Sequence, residues 1–274
     1  MAVWGPSGVR VRLVASGVNP SDVKRRAGWQ GQRIADPRII PHSDGAGVID
    51  QVGDGVPPAR LGERVWVYNA QWKRPFGTAA EYIAIPASQA IRLPDRTTFV
   101  EGACLGIPAM TAHRCVFADG AVGGRTVLVT GGAGAVGHSA VQLARWGGAT
   151  VIATVSSEAK AVHARAAGAQ HVVNYTTEDV ADRVQQFTGG RGVDRIVEVS
   201  FGANLAASQA VLKPHGVIAA YASMSLPEPV LPFYRLMGMN VTVRLPLARL
   251  AEAHEIVEEG RQIGNVVVEV GSGE

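Results

Sequence analysis

Cysteine is nearly absent: 274 residues hold only Cys104 and Cys115. Two cysteines cannot build a disulfide scaffold, and without a C-x-x-C pair they cannot build a four-cysteine zinc lobe. Both read as small core residues rather than reactive thiolates. No apolar run approaches the roughly 20 residues that a bilayer span needs, and the N-terminus carries no signal-peptide pattern. A cytoplasmic protein with no membrane partner is therefore expected. Long runs of one charge are also missing, and 26 Lys and Arg against 23 Asp and Glu leave a formal charge of only +3. With no zinc-finger, basic-zipper or RNP pattern either, nucleic acid is not an expected partner. The absence of G-x-S-x-G removes support for a hydrolase nucleophile elbow. What is present is 47% hydrophobic residues, with 33 Gly and 15 Pro. That suffices for a large core and fits two domains or one large one.

The chain changes character near its first third. Val9 to Ser16 alternates Arg10 and Arg12 with apolar residues, as a half-exposed strand does. Short strands punctuated by Gly and Pro follow at 45–53, 64–68 and 79–85, the pattern of a small β-rich domain. Residues 99–117 read as one helix rich in small residues. Beyond Arg125, strands at 126–130, 150–155, 171–174, 195–199 and 217–221 alternate with helices at 137–146, 158–167, 177–187 and 203–212. That alternation predicts an α/β fold with a doubly wound parallel sheet covered on both faces. A helix at 250–259 and a strand at 265–270 could complete either domain.

The most informative stretch is Thr126 to Gly137, a β-branched strand leading into Gly132-x-Gly134-x-x-Gly137 and then a helix. Glycines there give the tight turn and let the backbone approach a pyrophosphate, while the helix N-terminus offers unpaired N–H groups to the anion. A dinucleotide is expected, held by Gly134, Ala135, Val136 and Gly137. The tip of the second strand, Ser156 and Ser157, carries no carboxylate for ribose hydroxyls, and Lys160 follows one helical turn on. This favours NADPH, with a 2′-phosphate bound by Ser156, Ser157 and Lys160; Glu158 is the residue that would favour NAD instead. Tyr175, after the third strand, could contact the adenosine side, and Ser200 and Tyr221 sit at strand C-termini that face the crevice.

Several motifs carry a resemblance: Val18 to Asp22, Pro41 to Gly47, Gly62 to Val65, Ala80 to Tyr82, Gly106 to Ala112, Gly131 to Gly137 and Ala251 to Glu255. In this order they are similar to the quinone oxidoreductase (zeta-crystallin-like) branch of the medium-chain dehydrogenase/reductases. The resemblance implies a GroES-like catalytic domain over residues 1–100, completed by 244–274, and a Rossmann NADP-binding domain over 101–243. It places Asn19 and Thr111 near the nicotinamide and Tyr221 to Met224, with Ser223, against the cofactor. Zinc-dependent relatives place Cys and His where this chain has Asn19 and Ser43, so no metal is expected. Many relatives carry Tyr where Lys24 stands, and Lys24 becomes a candidate to hydrogen-bond a quinone oxygen. A homodimer joined at the edge strand Asn240 to Val243 is also implied. The family pattern runs on after Trp4 and after Val243, where this chain jumps ahead, and segments missing at both places are expected.

Other residues have plainer readings. His42 invites a general-base role, but with no nucleophile or metal nearby it reads as a turn residue. His254 reads as structural, and Asp44 with Arg64 as a buried pair. Trp66, Tyr68 and Trp72 could line a substrate mouth. The expected activity is hydride transfer from NADPH to a quinone or related conjugated carbonyl. Its alternatives are an enoyl or 2-alkenal C=C reductase and an NADPH-binding protein with little turnover.

Overall fold

The structure is a computed structural model that describes residues 5–28 and 38–244. It divides into two compact units, with the boundary between Met110 and Thr111. The expected helix at 250–259, the strand at 265–270 and the completion of the first domain by the C-terminal segment lie outside the described residues.

The first unit is built on β1 (Gly8–Gly17), α1 (Pro20–Arg26), β2 (Asp44–Val52), β3 (Arg64–Val67), β4 (Tyr82–Pro86) and β5 (Ala90–Arg92). The five strands form one antiparallel sheet in the order β4-β1-β2-β3-β5. Alternation in β1 turns Val9 and Val11 into a core with Ile49, Val65, Val67, Ile83 and Ile85, and leaves Arg10 on the other face paired with Asp50 at 2.7 Å. Asn19 and Asp22 cap α1, and Pro20 stands at its first position, where a missing N–H costs nothing.

Residues 99–117 are not one helix. They form α2 (Phe99–Gly102), a π-type turn over Leu105–Ala109 and α3 (Met110–Phe117). Gly106 has non-helical dihedrals and Pro108 lies inside the turn, so the backbone ladder breaks there.

In the second unit, β6 (Thr126–Val129), β7 (Thr150–Val155), β8 (His171–Asn174), β9 (Val193–Glu198), β10 (Leu212–Ala220) and β11 (Thr242–Arg244) make a parallel sheet ordered β11-β10-β9-β6-β7-β8. Helices α4 (Ala135–Trp146), α5 (Glu158–Ala166), α6 (Val180–Thr188) and α7 (Phe201–Val211) connect successive strands, and α8 (Phe233–Gly238) precedes β11. One core cluster packs α4 and α5 on β6 and β7, and a second packs α6 and α7 on the opposite face. The sheet is therefore doubly wound, as expected, and the order in which strands are added reverses between β6 and β9, where such folds open a crevice at the strand C-termini. Arg195, 1% exposed on β9, ties the sheet to α3 through the Cys115 carbonyl at 2.7 Å and an ion pair with Asp119, which also pairs with Arg244.

Candidate functional site

The crevice is organised by the turn between β6 and α4. Gly131 takes a positive φ of 66°, and a side chain on Gly137 would strike the Gly131 carbonyl oxygen, so both positions need glycine. The Gly131 and Gly132 N–H groups donate to the Thr154 hydroxyl at 3.1 Å and the Thr154 carbonyl at 2.9 Å, which fixes the turn to the end of β7. Helix α4 starts from Gly134 with no side-chain cap. The N–H groups of Ala135, Val136 and Gly137 lie in its first turn, where an α-helix supplies no internal acceptor. Glycine surfaces around uncapped donors at the N-terminus of a long helix fit a pyrophosphate.

At the tip of β7, Lys160 Nζ donates to the Ser156 hydroxyl at 2.7 Å, and Ser157 caps α5 by accepting from the Lys160 N–H at 3.4 Å. Glu158 turns instead to Arg165, at 2.8 Å. Tyr175 and Ser200 line a cavity of about 280 Å³ together with Thr130, Gly131, Thr154 and Asn204. Tyr221 follows β10 and is largely covered; burial raises its phenol well above the usual range and keeps it neutral. Ser223 is already engaged, accepting from the Gly202 N–H at 2.9 Å and donating to the Leu226 carbonyl at 2.5 Å.

A residue the sequence reading missed is Glu198, fully buried at the end of β9. Its Oε1 accepts from Thr130 Oγ1 at 2.9 Å, the Ser200 N–H at 2.6 Å and Asn204 Nδ2 at 2.8 Å, so one carboxylate oxygen positions three residues of the cavity wall. Burial pushes its acidity toward the neutral form against these bonds. The available signal was an acidic residue directly after the apolar pair Ile196-Val197, at the C-terminal end of a parallel strand.

The first unit holds a second polar cluster. Asp44, with no exposed surface, accepts through Oδ2 from Asn19 Nδ2 at 2.7 Å and from the Ile107 N–H at 2.8 Å. Its Oδ1 has no partner, and Gly106 leaves room for it, since a side chain there would overlap that oxygen. Burial raises Asp44 from 3.8 to about 6, outweighing the two bonds. The expected Asp44–Arg64 pair does not form. Arg64 instead donates to the carbonyls of Asp95 at 2.9 Å and Thr97 at 2.6 Å and lies over the Phe99 ring, because its β3 position faces the 94–99 loop. Asp22 accepts from the Asn19 N–H at 2.7 Å, and the Ser16 hydroxyl joins His42 Nδ1 to Thr78 Oγ1, each at 2.9 Å. Lys24 is half-buried on α1, and Thr111 is half-buried on α3 at the start of the second unit.

A parallel sheet with an anion-ready turn in one unit, and an antiparallel sheet in the other, define a dinucleotide-binding protein of two-unit design. Residues 5–95 match the alcohol dehydrogenase GroES-like domain and residues 135–258 match the zinc-binding dehydrogenase domain. The chain is 37% identical over 225 residues to a 2-haloacrylate reductase of Burkholderia sp, covering 81% of this chain and 66% of the relative. It is 32% identical over 216 residues to a quinone oxidoreductase of Homo sapiens, covering 78% and 64%. Among solved structures, an NAD-dependent alcohol dehydrogenase superposes with a TM-score of 0.82 at 29% identity, covering 99% of this chain and 94% of that one. A mycobacterial protein complexed with NADPH superposes with a TM-score of 0.76 at 30% identity, covering 97% and 84%. This chain belongs to the medium-chain dehydrogenase/reductases, in their quinone-oxidoreductase-like branch. It spans between about half and two thirds of the length of the curated relatives it matches.

One matched domain is described by zinc, and the donors here do not fit that ion. Asn19 and Ser43 offer an amide and a hydroxyl in place of thiolate and imidazole, and the Asn19 amide is committed to Asp44. Among the described residues, no three His, Cys, Asp or Glu side chains lie together in a way that could hold a metal.

Proposed function

We propose that this protein uses NADPH to reduce a quinone or a related conjugated carbonyl. The observation that carries the cofactor choice is the Lys160–Ser156 contact at the carboxylate-free tip of β7, with Glu158 drawn off to Arg165. Lysine and two hydroxyls suit a 2′-phosphate, whereas an NAD site favours an acidic side chain on the ribose. Gly134, Ala135, Val136 and Gly137 would hold the pyrophosphate, with Tyr175 and Ser200 beside the adenosine and Tyr221 and Ser223 along the remainder of the crevice. Bound NADPH would supply hydride.

The chain's own part is to position an electron-poor acceptor, exclude water and manage one proton. Asn19, Thr111 and Lys24 are the proposed residues on the acceptor side, Asn19 with its amide held by Asp44. The names of the relatives support this chemistry: one reduces a haloacrylate, a polarised C=C bond, and one a quinone. A 2-enal C=C reductase on the same site is the second reading, favoured by the 37% identity to the haloacrylate reductase. A cytoplasmic homodimer joined along β11 completes the proposal; β11 is the outermost strand of the described parallel sheet. NADPH oxidation against a panel of 1,4-quinones and 2-enals tests the activity. Acceleration by members of either class supports it, and tight NADPH binding without turnover on any acceptor would favour a binding protein.

A further inference from the structure

One wall of the cavity beside the Gly131 turn is a single face of α7. Ser200, Ala203, Asn204, Ala207 and Ser208 recur there at the three- and four-residue spacing of a helix face. Leu128, Val180 and Val199 add apolar surface, and the small alanines leave about 280 Å³, room for a flat two-ring base. The polar atoms of this wall are not interchangeable. Glu198 Oε1 accepts from the Ser200 N–H at 2.6 Å and from Thr130 Oγ1 at 2.9 Å, so it takes the NH2 side of the Asn204 amide, at 2.8 Å. Asn204 is left to show the cavity its Oδ1, an acceptor, and among the described residues that oxygen has no hydrogen-bond partner. Turning the amide over would set two oxygens against each other at Glu198. The Ser208 hydroxyl, buried one turn further along α7, can rotate to donate or accept.

We propose that Asn204 selects the base of the dinucleotide, a role that rests on the NADPH reading above and extends it to the purine. A fixed acceptor suits a base that presents an N–H donor at its edge, as the amino group of adenine does. Hypoxanthine has nearly the same shape, with a carbonyl in place of that amino group. With hypoxanthine bound, its oxygen and Asn204 Oδ1 would face each other unpaired. Ser208 can turn its proton to suit either base and so discriminates nothing, whereas the Asn204 amide is held by Glu198. A site built around a fixed hydrogen-bonding group rejects the isostere that leaves that group unpaired. Gly131 and Thr154 border the same cavity, so a base seated there is continuous with the turn proposed to hold the pyrophosphate.

The test is a fluorescence titration of the full chain with NADPH and with its hypoxanthine analogue, no acceptor being present. The wild type is expected to bind NADPH about tenfold or more tightly than the analogue. N204A and N204S remove the fixed acceptor, the first leaving open space and the second a rotatable hydroxyl. Each is expected to bind the two ligands within about threefold of one another, through weaker NADPH binding, while thermal unfolding shows that it folds. A wild type that binds both ligands within about threefold of one another, or a folded variant that keeps the wild-type preference, would overturn the assignment. The wild-type ratio decides by itself if neither variant folds. A wild type that binds neither ligand would instead overturn the dinucleotide reading on which the role rests.

Discussion

Replacing Asp44 with Asn converts a buried ionisable group into a permanently neutral one of the same shape, and the pH dependence of the difference reports the balance of forces around it. Asp44 is raised from 3.8 to about 6, so the folded chain binds its proton more tightly than the unfolded chain does. The corresponding stabilisation is fully present below about 3.8 and is lost as the pH rises through about 6. The gap amounts to about 3 kcal/mol. Urea unfolding of wild type and D44N at several pH values isolates this contribution, because the other titrating groups are common to both proteins. The stability of the wild type relative to D44N is expected to grow by about 2 kcal/mol as the pH falls from about 7.5 to 4.5. A difference that stays flat with pH would show that the Asn19 and Ile107 donors balance burial, and one that shrinks on acidification that they outweigh it; either would refute the reasoning. Asp44→Ala is a companion with a different signature. It strips the acceptor from two buried donors and should cost about 2–6 kcal/mol at neutral pH.

The remaining expectations concern the second unit and the two thiols. Gly137→Ala places a methyl group against the Gly131 carbonyl and should abolish measurable NADPH binding in a fluorescence titration while the far-ultraviolet circular dichroism stays close to wild type. Lys160→Ala should weaken NADPH about tenfold, the loss of one charge-assisted contact of roughly 1.5 kcal/mol, and leave NADH affinity unchanged; equal losses for both cofactors would contradict a 2′-phosphate role. Burial pushes the Cys115 thiol up to about 12, whereas Cys104 is exposed. A thiol reagent at neutral pH should label Cys104 alone in the native chain and both residues only after unfolding, as read by mass spectrometry.

What could be read from the sequence was governed by local pattern. The parallel sheet was legible because its strands are short apolar runs spaced by amphipathic helices, and the phosphate turn because three glycines sit where a strand hands over to a helix. The break within 99–117 was not, since small residues hide the interruption and only Gly106 together with Pro108 signals it. Contacts between distant positions were harder still. Arg64 finds the carbonyls of Pro94, Asp95 and Thr97, while Asp44 takes donors 25 and 63 residues away, a choice set by strand pairing. The bonds of Glu198 and of the Ser16–His42–Thr78 chain have the same origin: each depends on which side chains the folded sheet brings within 3 Å, and no spacing in the sequence encodes that.

The most direct test is stoichiometric. Purified full chain is mixed with NADPH and the best acceptor of the quinone and enal panel, and both NADPH oxidised and acceptor reduced are measured. Equal molar amounts of the two, continuing over many turnovers, are the expected result. NADPH bound at the Gly131–Gly137 turn but consumed with no acceptor would contradict it.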